Sequence, residues 1–529
     1  MKYATTRICA AVLAATGVGS SHAVTLAPDG YGQVLLYPYY TVQNGYDTLI
    51  SVENAANRGK ALKLRFLESL NGRPVLSLNV YLAPYDVWTA KIAADAGGGA
   101  KLVVTDLSCT APAIATFLGG PGEMAFLSAG FDGSGGLPAD ALASIGTART
   151  AEGYLEVIEM GDIDPDYQLP NAVGFLAAVQ VDKSQPAGGE YPALNCAAVN
   201  NEWATAQPFP NAGYGGPVST SVRGLQPGTG GLAGTGTLIN VGRGTDYSYD
   251  PVALGGFYMA KPPMHTAPAD AAPSLADAAP TSTVMVIDPV TGTPTLKADD
   301  WSNNAAGAQP GVDAVSAVLM RSALINEFVV NTAIYAGTDW IATLPTKRWY
   351  VDQVLHPVRP FSALFSGNGA CEPTTVTPYN QSGTGQSGTI GFATPPAHYP
   401  DVLCWTTNVL TFNNSQVLFS VAPYSQAGHH ALGNVNVGVW RAGRVSLSFP
   451  SSTSNASYHW ANAQSAVNDL PADLPSHQLV NEASPNHVYQ GLPMIGFAVQ
   501  QYINGSLPGG ILSNYGGSYL HRYQRNITP

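Results

Sequence analysis

Two neighbouring segments near the N-terminus alternate between apolar and other residues with a period of two. They are residues 61–68 (ALKLRFLE) and 75–82 (VLSLNVYL). A period of two places the apolar side chains of a strand on one face. The Asn71-Gly72 pair between the segments is typical of a tight hairpin turn. The chain is therefore predicted to contain an antiparallel sheet whose apolar face is buried.

The remaining residues of the two segments define a second face of the same sheet. Lys63 and Arg65 lie on it in the first segment, and Ser77, Asn79 and Tyr81 lie on it in the second. Antiparallel sheets commonly pack one face on the core and leave the other in solvent. We therefore expect these five side chains to face outward.

Composition favours sheet over helix in the whole chain. Charged residues are 11% of the 529 residues, and there are 57 Gly and 40 Pro, which disfavours long salt-bridged helices. The hydrophobic fraction of 45% provides enough apolar surface for folding. Strand patterns at 48–53, 86–92 and 101–105 accompany the hairpin. We predict a mainly β protein that begins with an immunoglobulin-like β-sandwich over residues 24–107.

Residues 108–529 are predicted to form a larger β-rich sandwich region with one or two helices and long Gly/Pro-rich loops. Helical spacing of apolar residues predicts one clear helix over 314–330, with Asp313 as its N-cap. A Pro- and Ala-rich segment at about 264–311 is predicted to be an exposed excursion with a hairpin at 284–296.

Residues 1–23 have the pattern of a secretory signal peptide. Lys2 and Arg7 precede an uncharged stretch, and the small residues Ser21 and Ala23 suit signal peptidase. The stretch is shorter than the roughly 20 residues that span a bilayer, and no later part of the chain has about 18 consecutive apolar residues, so we expect no transmembrane helix. The predicted location is the cell surface, the extracellular space or the periplasm.

Charge and cysteine content bear on partners and on compartment. Without the leader the 23 basic residues fall to 21, against 35 acidic ones, and no basic stripe is visible, so we expect no nucleic-acid partner. Four cysteines of an exported chain allow three pairings. The pairing that closes the most local loops is Cys109 with Cys196 and Cys371 with Cys404. Four unpaired thiols are the alternative.

Five strings of the chain resemble one known family. They are GYGQVLLYPYYTVQNGYDTLISVEN from Gly30, PYDVWTAKI from Pro84, EGYLEVIEMGDI from Glu152, GTLINVGRGTDYSYD from Gly236 and GTDWIATLPTKRWYVD from Gly337. Together they are similar to an uncharacterised family of exported, β-rich proteobacterial proteins with no established activity. The resemblance covers most of the mature chain. It implies an exported Gram-negative protein with 264–311 as its variable part, and it brings no catalytic residue.

Common catalytic motifs are missing from the sequence. It has no G-x-S-x-G elbow, no H-E-x-x-H, no phosphate loop, no G-x-G-x-x-G between a strand and a helix, and no C-x-x-C. Glu156 and Glu159 do not form a glycosidase pair, because residues three apart in a regular strand point to opposite faces. We expect no enzymatic activity and no catalytic residue, although an unusual enzyme stays open.

The most acidic local cluster is Asp162, Asp164 and Asp166, which follows the strand pattern that carries the two glutamates. Alternating carboxylates on a short loop suit Ca²⁺, which takes about six to eight oxygen ligands. These three residues are therefore the candidate metal ligands, although the Gly and the distal Glu of an EF-hand loop are missing. A solvated turn is the alternative. No other cofactor is expected.

Aromatic and histidine residues are the other candidates for binding. Trp88 and Trp340 lie inside apolar strand patterns and are predicted to be core. Whether Trp349, Tyr350 and Trp460 are core or exposed platforms for sugars stays open. Histidines of the C-terminal region lack the spacing of zinc ligands and are predicted at the surface or in turns. They are His429, His430, His459, His477 and His487.

Residues 32–42 (GQVLLYPYYTV) are apolar and aromatic and contain Pro38, which predicts an edge strand or a bulge. An uncharged edge strand can pair with a second copy of the chain, or it can close its own sheet. Self-assembly is therefore one expectation.

Three functions stay in competition on the sequence. The leading hypothesis is an exported, non-enzymatic structural or interaction protein whose partners are other copies of the chain or surface polymers. The first alternative is a secreted carbohydrate-binding or carbohydrate-active protein. The second alternative is an outer-membrane β-barrel, which the 40 prolines and the lack of a C-terminal aromatic strand oppose.

Overall fold

The architecture comes from a computed structural model of the chain. It describes residues 23–114, 121–163, 193, 195–197, 200, 203, 225–258, 264–288, 290–304, 308–385, 401–413, 415, 417–418, 434–435, 437–449, 477–482, 487–507 and 511–528.

Strands predominate among the described elements. In chain order they are β1 (Thr25–Leu26), β2 (Val34–Thr41), β3 (Asp47–Asn54), β4 (Gly59–Glu68), β5 (Pro74–Leu82), β6 (Val87–Ala94), β7 (Ala100–Val104), β8 (Cys109–Ala111), β9 (Gly122–Ala125), β10 (Glu152–Ile163), β11 (Leu225–Gln226), β12 (Leu232–Asn240), β13 (Thr245–Tyr249), β14 (Val252–Gly255), β15 (Thr281–Ile287), β16 (Pro294–Asp300), β17 (Met320–Arg321), β18 (Ala323–Val329), β19 (Ala336–Thr343), β20 (Glu372–Asn380), β21 (Asp401–Leu403), β22 (Thr407–Phe412), β23 (Asn434–Val435), β24 (Ala442–Ser448), β25 (Gln478–Val480), β26 (Val488–Gln490), β27 (Leu492–Pro493), β28 (Ile495–Leu507), β29 (Ile511–Leu520), β30 (Arg522–Gln524) and β31 (Asn526–Thr528). The α-helices are α1 (Pro310–Leu319) and α2 (Lys347–Val351), and 3-10 turns cover Gln43–Gly45, Ala143–Ala151, Leu275–Asp277 and Thr332–Ile334.

Sheets A and B pack face to face as a first sandwich. Sheet A has the order β1-β14-β2-β10-β4-β5-β8, with β11 paired to the end of β10, and sheet B has the order β13-β12-β3-β6-β7-β9. Their inner faces share one apolar core, to which Leu64 and Val157 contribute from sheet A and Ile50 and Trp88 from sheet B. The prediction of a mainly β fold with sandwich-like antiparallel sheets is confirmed.

The predicted N-terminal hairpin is present as β4 and β5. The two strands pair antiparallel with Leu64 opposite Leu78. Gly72 in the connecting turn has φ +67°, a conformation that glycine adopts without steric cost. Local turn chemistry and the period-two pattern therefore specify this part of sheet A.

Both sheets of the first sandwich include strands from beyond residue 107. Strand β10 lies between β2 and β4 in sheet A, and β12 pairs with β3 in sheet B. Residue 107 therefore does not separate one sheet from the next.

Sheets C and D form a second sandwich, and sheet D also reaches the first. Sheet C has the order β21-β20-β24-β18-β30, and sheet D has the order β23-β22-β19-β28-β29. One face of sheet D packs against sheet C through Trp340 and Phe412. Its other face places Ile341 and Phe497 in the core of the first sandwich. Because sheet D contributes to both cores, the two sandwiches pack against each other.

Residues 32–42 were predicted to form an edge strand or to carry a bulge. The bulge is confirmed and the edge position is wrong, because β2 lies inside sheet A. It is buried along its whole length between β14 and β10. The proline is accommodated by a bulge, because the register with β10 shifts between Tyr37 and Tyr40. Next to the bulge, the Thr343 hydroxyl donates a hydrogen bond of 2.6 Å to the Pro38 carbonyl. The proposal that this segment pairs with a second copy is therefore wrong.

The predicted helix over 314–330 is half helix and half strand. Helix α1 begins at Pro310, after Gln309 as N-cap, and ends at Leu319. Beyond it, β18 pairs with β24 and buries alternate residues toward the core, including Leu324 and Phe328. Apolar residues that fitted a helical period also fit a strand, and pairing with sheet C decided between them.

The Pro- and Ala-rich segment divides into a packed part and a projecting part. Leu275, Ala278 and Trp301 are fully or almost fully buried in a third apolar cluster with α1 and with the outer face of β2. The hairpin expected at 284–296 is present as β15 and β16, and its far end extends into solvent. The segment is therefore an exposed excursion only at the hairpin.

The predicted disulfide pairing is confirmed. Cys109 is bonded to Cys196, and Cys371 is bonded to Cys404. Since disulfides persist in oxidising compartments, the two bonds indicate a location outside the cytoplasm.

Candidate functional site

The outer face of sheet A is buried, which corrects the expectation that its residues face outward. Lys63, Arg65, Asn79 and Tyr81 are at most 1% exposed. Residues beyond the first sandwich cover this face. The Lys63 ammonium donates to the backbone carbonyl of Ala267, and the Asn79 amide donates to that of Thr266 at 2.9 Å. Sheet A therefore has two buried faces, and charged side chains lie in its interior.

At one end of the apolar row of β4, three ionisable groups meet without solvent. The Lys60 Nζ lies 2.6 Å from Glu159 Oε1 and 2.6 Å from Asp162 Oδ1, and all three side chains are 0% exposed. The loop before β12 completes the shell. The Thr229 hydroxyl donates to Asp162 Oδ2 at 2.8 Å, and the Gly230 N–H donates to Glu159 Oε2 at 2.9 Å. We call Lys60, Glu159 and Asp162 the lysine triad.

A bulge in β10 brings the two carboxylates of the lysine triad to one side of the strand. Glu159 lies opposite Leu62 and Asp162 lies opposite Lys60, and the register shifts between Glu159 and Gly161. In a regular strand, residues three apart point to opposite faces. The extra residue of the bulge cancels that alternation, so both acids reach the same ammonium.

Glycine at position 228 lets the loop lie against the lysine triad. A Cβ added to Gly228 would lie 2.5 Å from the Glu159 carboxyl carbon. The backbone therefore approaches the carboxyl more closely than any other residue type permits. Burial and the neighbouring Asp162 carboxyl raise the pKa of Glu159 to about 8, in spite of the Lys60 ammonium.

On the outer face of the same two strands, Arg65 and Glu156 form a second buried pair. Arg65 Nη1 lies 2.6 Å from Glu156 Oε2. Burial raises the pKa of the Glu156 carboxyl above its ordinary value, and Arg65 opposes the shift. The Arg65 Nε and the Glu156 Oε1 have no hydrogen-bond partner in the described structure. The pair is therefore buried, and each partner keeps one polar atom without a hydrogen bond to the described residues.

A larger network closes the other end of the apolar row. Arg149 contacts both Glu68 oxygens at 2.8 and 2.9 Å and both Asp140 oxygens at 2.7 Å. Arg73 binds Asp352 of the second half of the chain at 2.8 Å. Glu68 also accepts the backbone N–H groups of the turn that follows β4. This network ties the hairpin turn to the 3-10 segment and to the residues after α2.

The buried acids described above are engaged by cations of the chain itself. Each carboxylate described above binds an arginine or a lysine at hydrogen-bond distance. Charge-assisted contacts of this kind compensate the cost of removing ions from water only when the partners are all present. The arrangement is suited to holding strands together.

The candidate calcium ligands are not gathered in the described structure. Asp162 is buried and binds the Lys60 ammonium, which lies where a metal ion bound to Asp162 would have to lie. Asp164 and Asp166 lie outside the described residues. Among the residues that are described, no group of three or more His, Cys, Asp or Glu is placed to hold a metal ion. Calcium binding stays a prediction that needs Asp164 and Asp166.

The aromatic residues considered for sugar binding are packed inside the protein wherever the structure describes them. Trp88 and Trp340 are core, as predicted, at 0% and 1% exposed. Tyr350 is also fully buried, and its hydroxyl donates to Asp313 at 2.7 Å. Trp349 packs at the border of two apolar clusters, and Trp460 lies outside the described residues. None of the four described residues that were left open or assigned to core is an exposed platform.

Two of the histidines predicted at the surface or in turns take part in internal contacts with carboxylates. His477 is fully buried, and its Nε2 lies 3.0 Å from Glu372 Oε2. His487 Nδ1 lies 2.9 Å from Asp299 Oδ1. Polar surroundings in the sequence gave no sign of these distant partners. His429, His430 and His459 lie outside the described residues.

Two exposed surfaces were not predicted from the sequence. The arm face is one side of the β15–β16 hairpin. Met285 lies opposite Leu296 and Ile287 opposite Pro294, and Met285, Ile287 and Leu296 are 53%, 57% and 67% exposed. The tyrosine row is Tyr502, Tyr515 and Tyr519 on one side of β28 and β29. Tyr502 lies opposite Tyr515, and Tyr519 is 52% exposed.

Sequence reasoning singled out Glu156, Glu159 and Asp162 but not their cationic partners, and it missed the acids of the larger network. Lys60, Lys63 and Arg65 stand in the same strand pattern as Leu62 and Leu64. The alternation of Lys63 and Arg65 with leucines is the same for an exposed and for a covered face, so the sequence carried no signal that the second face is buried.

Comparison with protein-family models, with curated proteins and with solved structures finds no match to this chain. Within the described part of the chain, no helix has the length and apolar character needed to cross a membrane.

Proposed function

We propose that the chain is an exported, non-enzymatic structural or interaction protein that self-associates outside the cytoplasm through its arm face. The observation that carries the proposal is the contiguous exposed apolar surface of the β15–β16 hairpin. Soluble chains rarely leave such a patch in water without a partner. The two disulfides support the extracytoplasmic setting.

The chemistry of the arm face favours a protein partner. Its side chains are apolar, and the opposed pairs Met285 with Leu296 and Ile287 with Pro294 form an apolar strip. A sugar polymer is bound through aromatic faces and hydrogen bonds, which this strip does not offer. An apolar strip without charge can pair with the same strip of a second copy, so a second copy is the partner we propose.

The base of the hairpin is fixed, which makes the arm face a preformed surface. Asp299 in β16 accepts hydrogen bonds from Asn481 at 3.0 Å and lies 2.9 Å from His487 Nδ1. Arg525 donates to the Met285 carbonyl at 2.9 Å on the other edge. Association then costs little ordering of the hairpin itself.

The test is the association state of the purified mature chain over a range of concentrations, measured by sedimentation velocity. Wild type is expected to form a dimer or a larger species, and the double variant M285K/L296K is expected to be monomeric. Leu355→Lys is the matched control, because Leu355 is 87% exposed elsewhere on the surface. A wild type that is monomeric at every concentration, or a double variant that associates like the control, would contradict the proposal.

The tyrosine row favours carbohydrate binding as a second candidate function. Tyr515 and Tyr519 project from one side of β29 and are 60% and 52% exposed. Exposed rings with polar hydroxyls can stack on sugar rings and hydrogen-bond to them. A glycan array compares wild type with Y515A/Y519A and with Tyr31→Ala, an exposed tyrosine on another surface. Loss of a signal in the double variant alone supports this function, and no signal for wild type removes it.

A further inference from the structure

We propose that Lys60 and Asp162 condense to an intramolecular isopeptide bond, with Glu159 as the acid and base of the reaction. The lysine triad is then a self-processing covalent cross-link between β4 and β10. The inference does not depend on the proposed function, because it concerns a bond inside one chain.

Register and distance place the two reacting groups in contact. Asp162 lies directly opposite Lys60 in the antiparallel ladder, so both side chains leave the sheet on the same side. The Lys60 Nζ is 2.6 Å from Asp162 Oδ1. Side chains held at this separation by a folded sheet react as if at very high concentration, since no translational freedom has to be lost.

Glu159 shares the Lys60 ammonium with Asp162. The Lys60 Nζ lies 2.6 Å from Glu159 Oε1 and 2.6 Å from Asp162 Oδ1. Because burial raises the pKa of Glu159 to about 8, this carboxyl holds a proton at neutral pH. A protonated acid between an amine and a carboxyl can pass protons in both directions, as general acid and base catalysis requires.

The site excludes water and fixes the carbonyl that would be attacked. All three side chains are 0% exposed. The Thr229 hydroxyl donates to Asp162 Oδ2 at 2.8 Å, which is where negative charge develops when the carboxyl carbon becomes tetrahedral. Without bulk water the amide product is protected from hydrolysis.

The reaction balances without any co-reactant. Glu159 gives its proton to the Asp162 carboxylate and takes one from the Lys60 ammonium, which leaves a neutral amine beside a neutral acid. The Nζ lone pair attacks the Asp162 Cγ and forms the C–N bond. Glu159 then relays a proton from that nitrogen to the departing hydroxyl, the C–O bond breaks, and one water leaves. Glu159 ends in its starting state.

The condensation also removes two buried charges. An ammonium and a carboxylate in a dry site become a neutral amide, which has a much smaller desolvation cost. Three other lysines lie in different settings. Lys63 donates to the Ala267 carbonyl and Lys347 to the Ala370 and Cys404 carbonyls, whereas Lys91 pairs with the partly exposed Asp47. Of these four lysines, Lys60 alone combines burial with an opposed carboxyl and a second acid in the described structure.

Peptide mass spectrometry tests the bond. The full purified chain is reduced, alkylated and digested with trypsin. Trypsin does not cleave after an acylated lysine, so we expect residues 59–63 to be recovered joined to residues 150–183, which contain Asp162. The joined species has a mass one water below the sum of these two peptides, and free 150–183 is depleted at least ~10-fold. The pair Lys91 and Asp47 serves as an internal control and is expected to be unlinked. Recovery of the Lys60 and Asp162 peptides separately, with no joined species, overturns the proposal.

Variants assign the roles within the lysine triad. Glu159→Gln keeps both reacting groups and is expected to slow linkage by ~10²-fold or more. Glu156→Gln, the same change three residues earlier in the same buried strand, is the matched control and is expected to link like wild type. Asp162→Asn expels ammonia in place of water, so its linked product has the mass of linked wild type.

Each variant result bears on a separate part of the inference. If Glu159→Gln links at the wild-type rate, the assigned role of Glu159 is wrong while the bond stands. If Lys60→Arg still yields the joined peptides, the assignment of Lys60 is wrong. Circular dichroism of each variant shows whether it is folded, and the wild-type digest decides the existence of the bond in any case.

Discussion

Strand β4 carries a buried apolar row and buried charged residues next to one another, and different forces hold the two. Leu62, Leu64 and Phe66 face the core shared with sheet B. Arg65, the next residue after Leu64, is equally buried on the other face, against Glu156. Apolar packing is non-directional and tolerates rearrangement. A buried ion needs its own partner in place, so burial alone does not say how a position responds to change.

The charged groups also connect turns and loops to the strands of the first sandwich. The network of Arg149, Glu68, Asp140, Arg73 and Asp352 joins the hairpin turn after β4 to the residues after α2. The lysine triad joins β4 and β10 to the loop before β12. Each cation selects one carboxylate geometry, whereas a leucine accepts many neighbours. The charged positions are therefore expected to be the sensitive ones.

The largest effect is expected where one cation serves two acids. Arg149→Met leaves Glu68 and Asp140 buried without their guanidinium. We expect a loss of about 3 to 5 kcal/mol in the free energy of unfolding, measured by urea denaturation. A loss below about 1 kcal/mol would show that the network is dispensable and that buried charged positions are not especially sensitive to substitution.

Adjacent residues on the two faces of β4 offer a direct test with the same new side chain. Arg65→Met is expected to cost about 3 kcal/mol, because Glu156 loses its partner in a dry site. Leu64→Met, a change that nearly conserves volume, is expected to cost less than about 1.5 kcal/mol. Urea midpoints of the two variants, referred to wild type, measure the difference. Equal losses of unfolding free energy would mean that the charged and the apolar face of β4 respond to substitution in the same way.

Asp339 is a buried acid whose hydrogen-bond donors are neutral, so its contribution to stability is expected to depend on pH. Asp339 accepts hydrogen bonds from the Ser415 hydroxyl at 2.6 Å and the Leu418 N–H at 2.9 Å. Burial raises the pKa of Asp339 to about 7.

Because the folded state then binds a proton that the unfolded state releases, the contribution of Asp339 is present below its unfolded pKa and is lost as the pH rises through 7. Between about pH 4 and 7, the unfolding free energy of wild type is expected to fall relative to Asp339→Asn by about 1 kcal/mol per pH unit. Parallel pH profiles for the two proteins would contradict the assigned shift.

The smallest effect is expected at an exposed pair. Lys91 and Asp47 are 3.2 Å apart with side chains 42% and 35% exposed. Lys91→Met is expected to change the free energy of unfolding by less than about 1 kcal/mol, because water and salt screen the pair. A loss comparable with that of Arg65→Met would show that exposure does not separate the two kinds of ion pair.

Local patterns in the sequence predicted the elements whose fold depends on near neighbours. The β4–β5 hairpin, the β15–β16 hairpin and the sequential disulfides are present as expected. Each depends on a turn, on alternation or on a short loop. The strand nature of β10 was also visible, although its place between β2 and β4 was not.

Elements decided by distant partners were predicted less well. The sequence of residues 323–329 fits a helix, but in the structure they pair with β24 as a strand of sheet C. The sequence of β2 fits an edge strand, but in the structure β14 pairs with one side of it. The lysine triad was missed for a similar reason. Glu159 and Asp162 are near neighbours in sequence, but a bulge turns both toward Lys60, which lies about 100 residues away.

The sequence by itself determined which residues alternate, where the chain turns, and that the fold is mainly β, because these depend on the covalent neighbours of each residue. The tertiary structure decided which faces are dry. Lys63 and Arg65 alternate with leucines whether water or protein lies above them, and only the packing of residues from beyond the first sandwich removes the water. Burial is a property of the whole assembly, and it converts ordinary surface residue types into the buried ion pairs and the lysine triad of this protein.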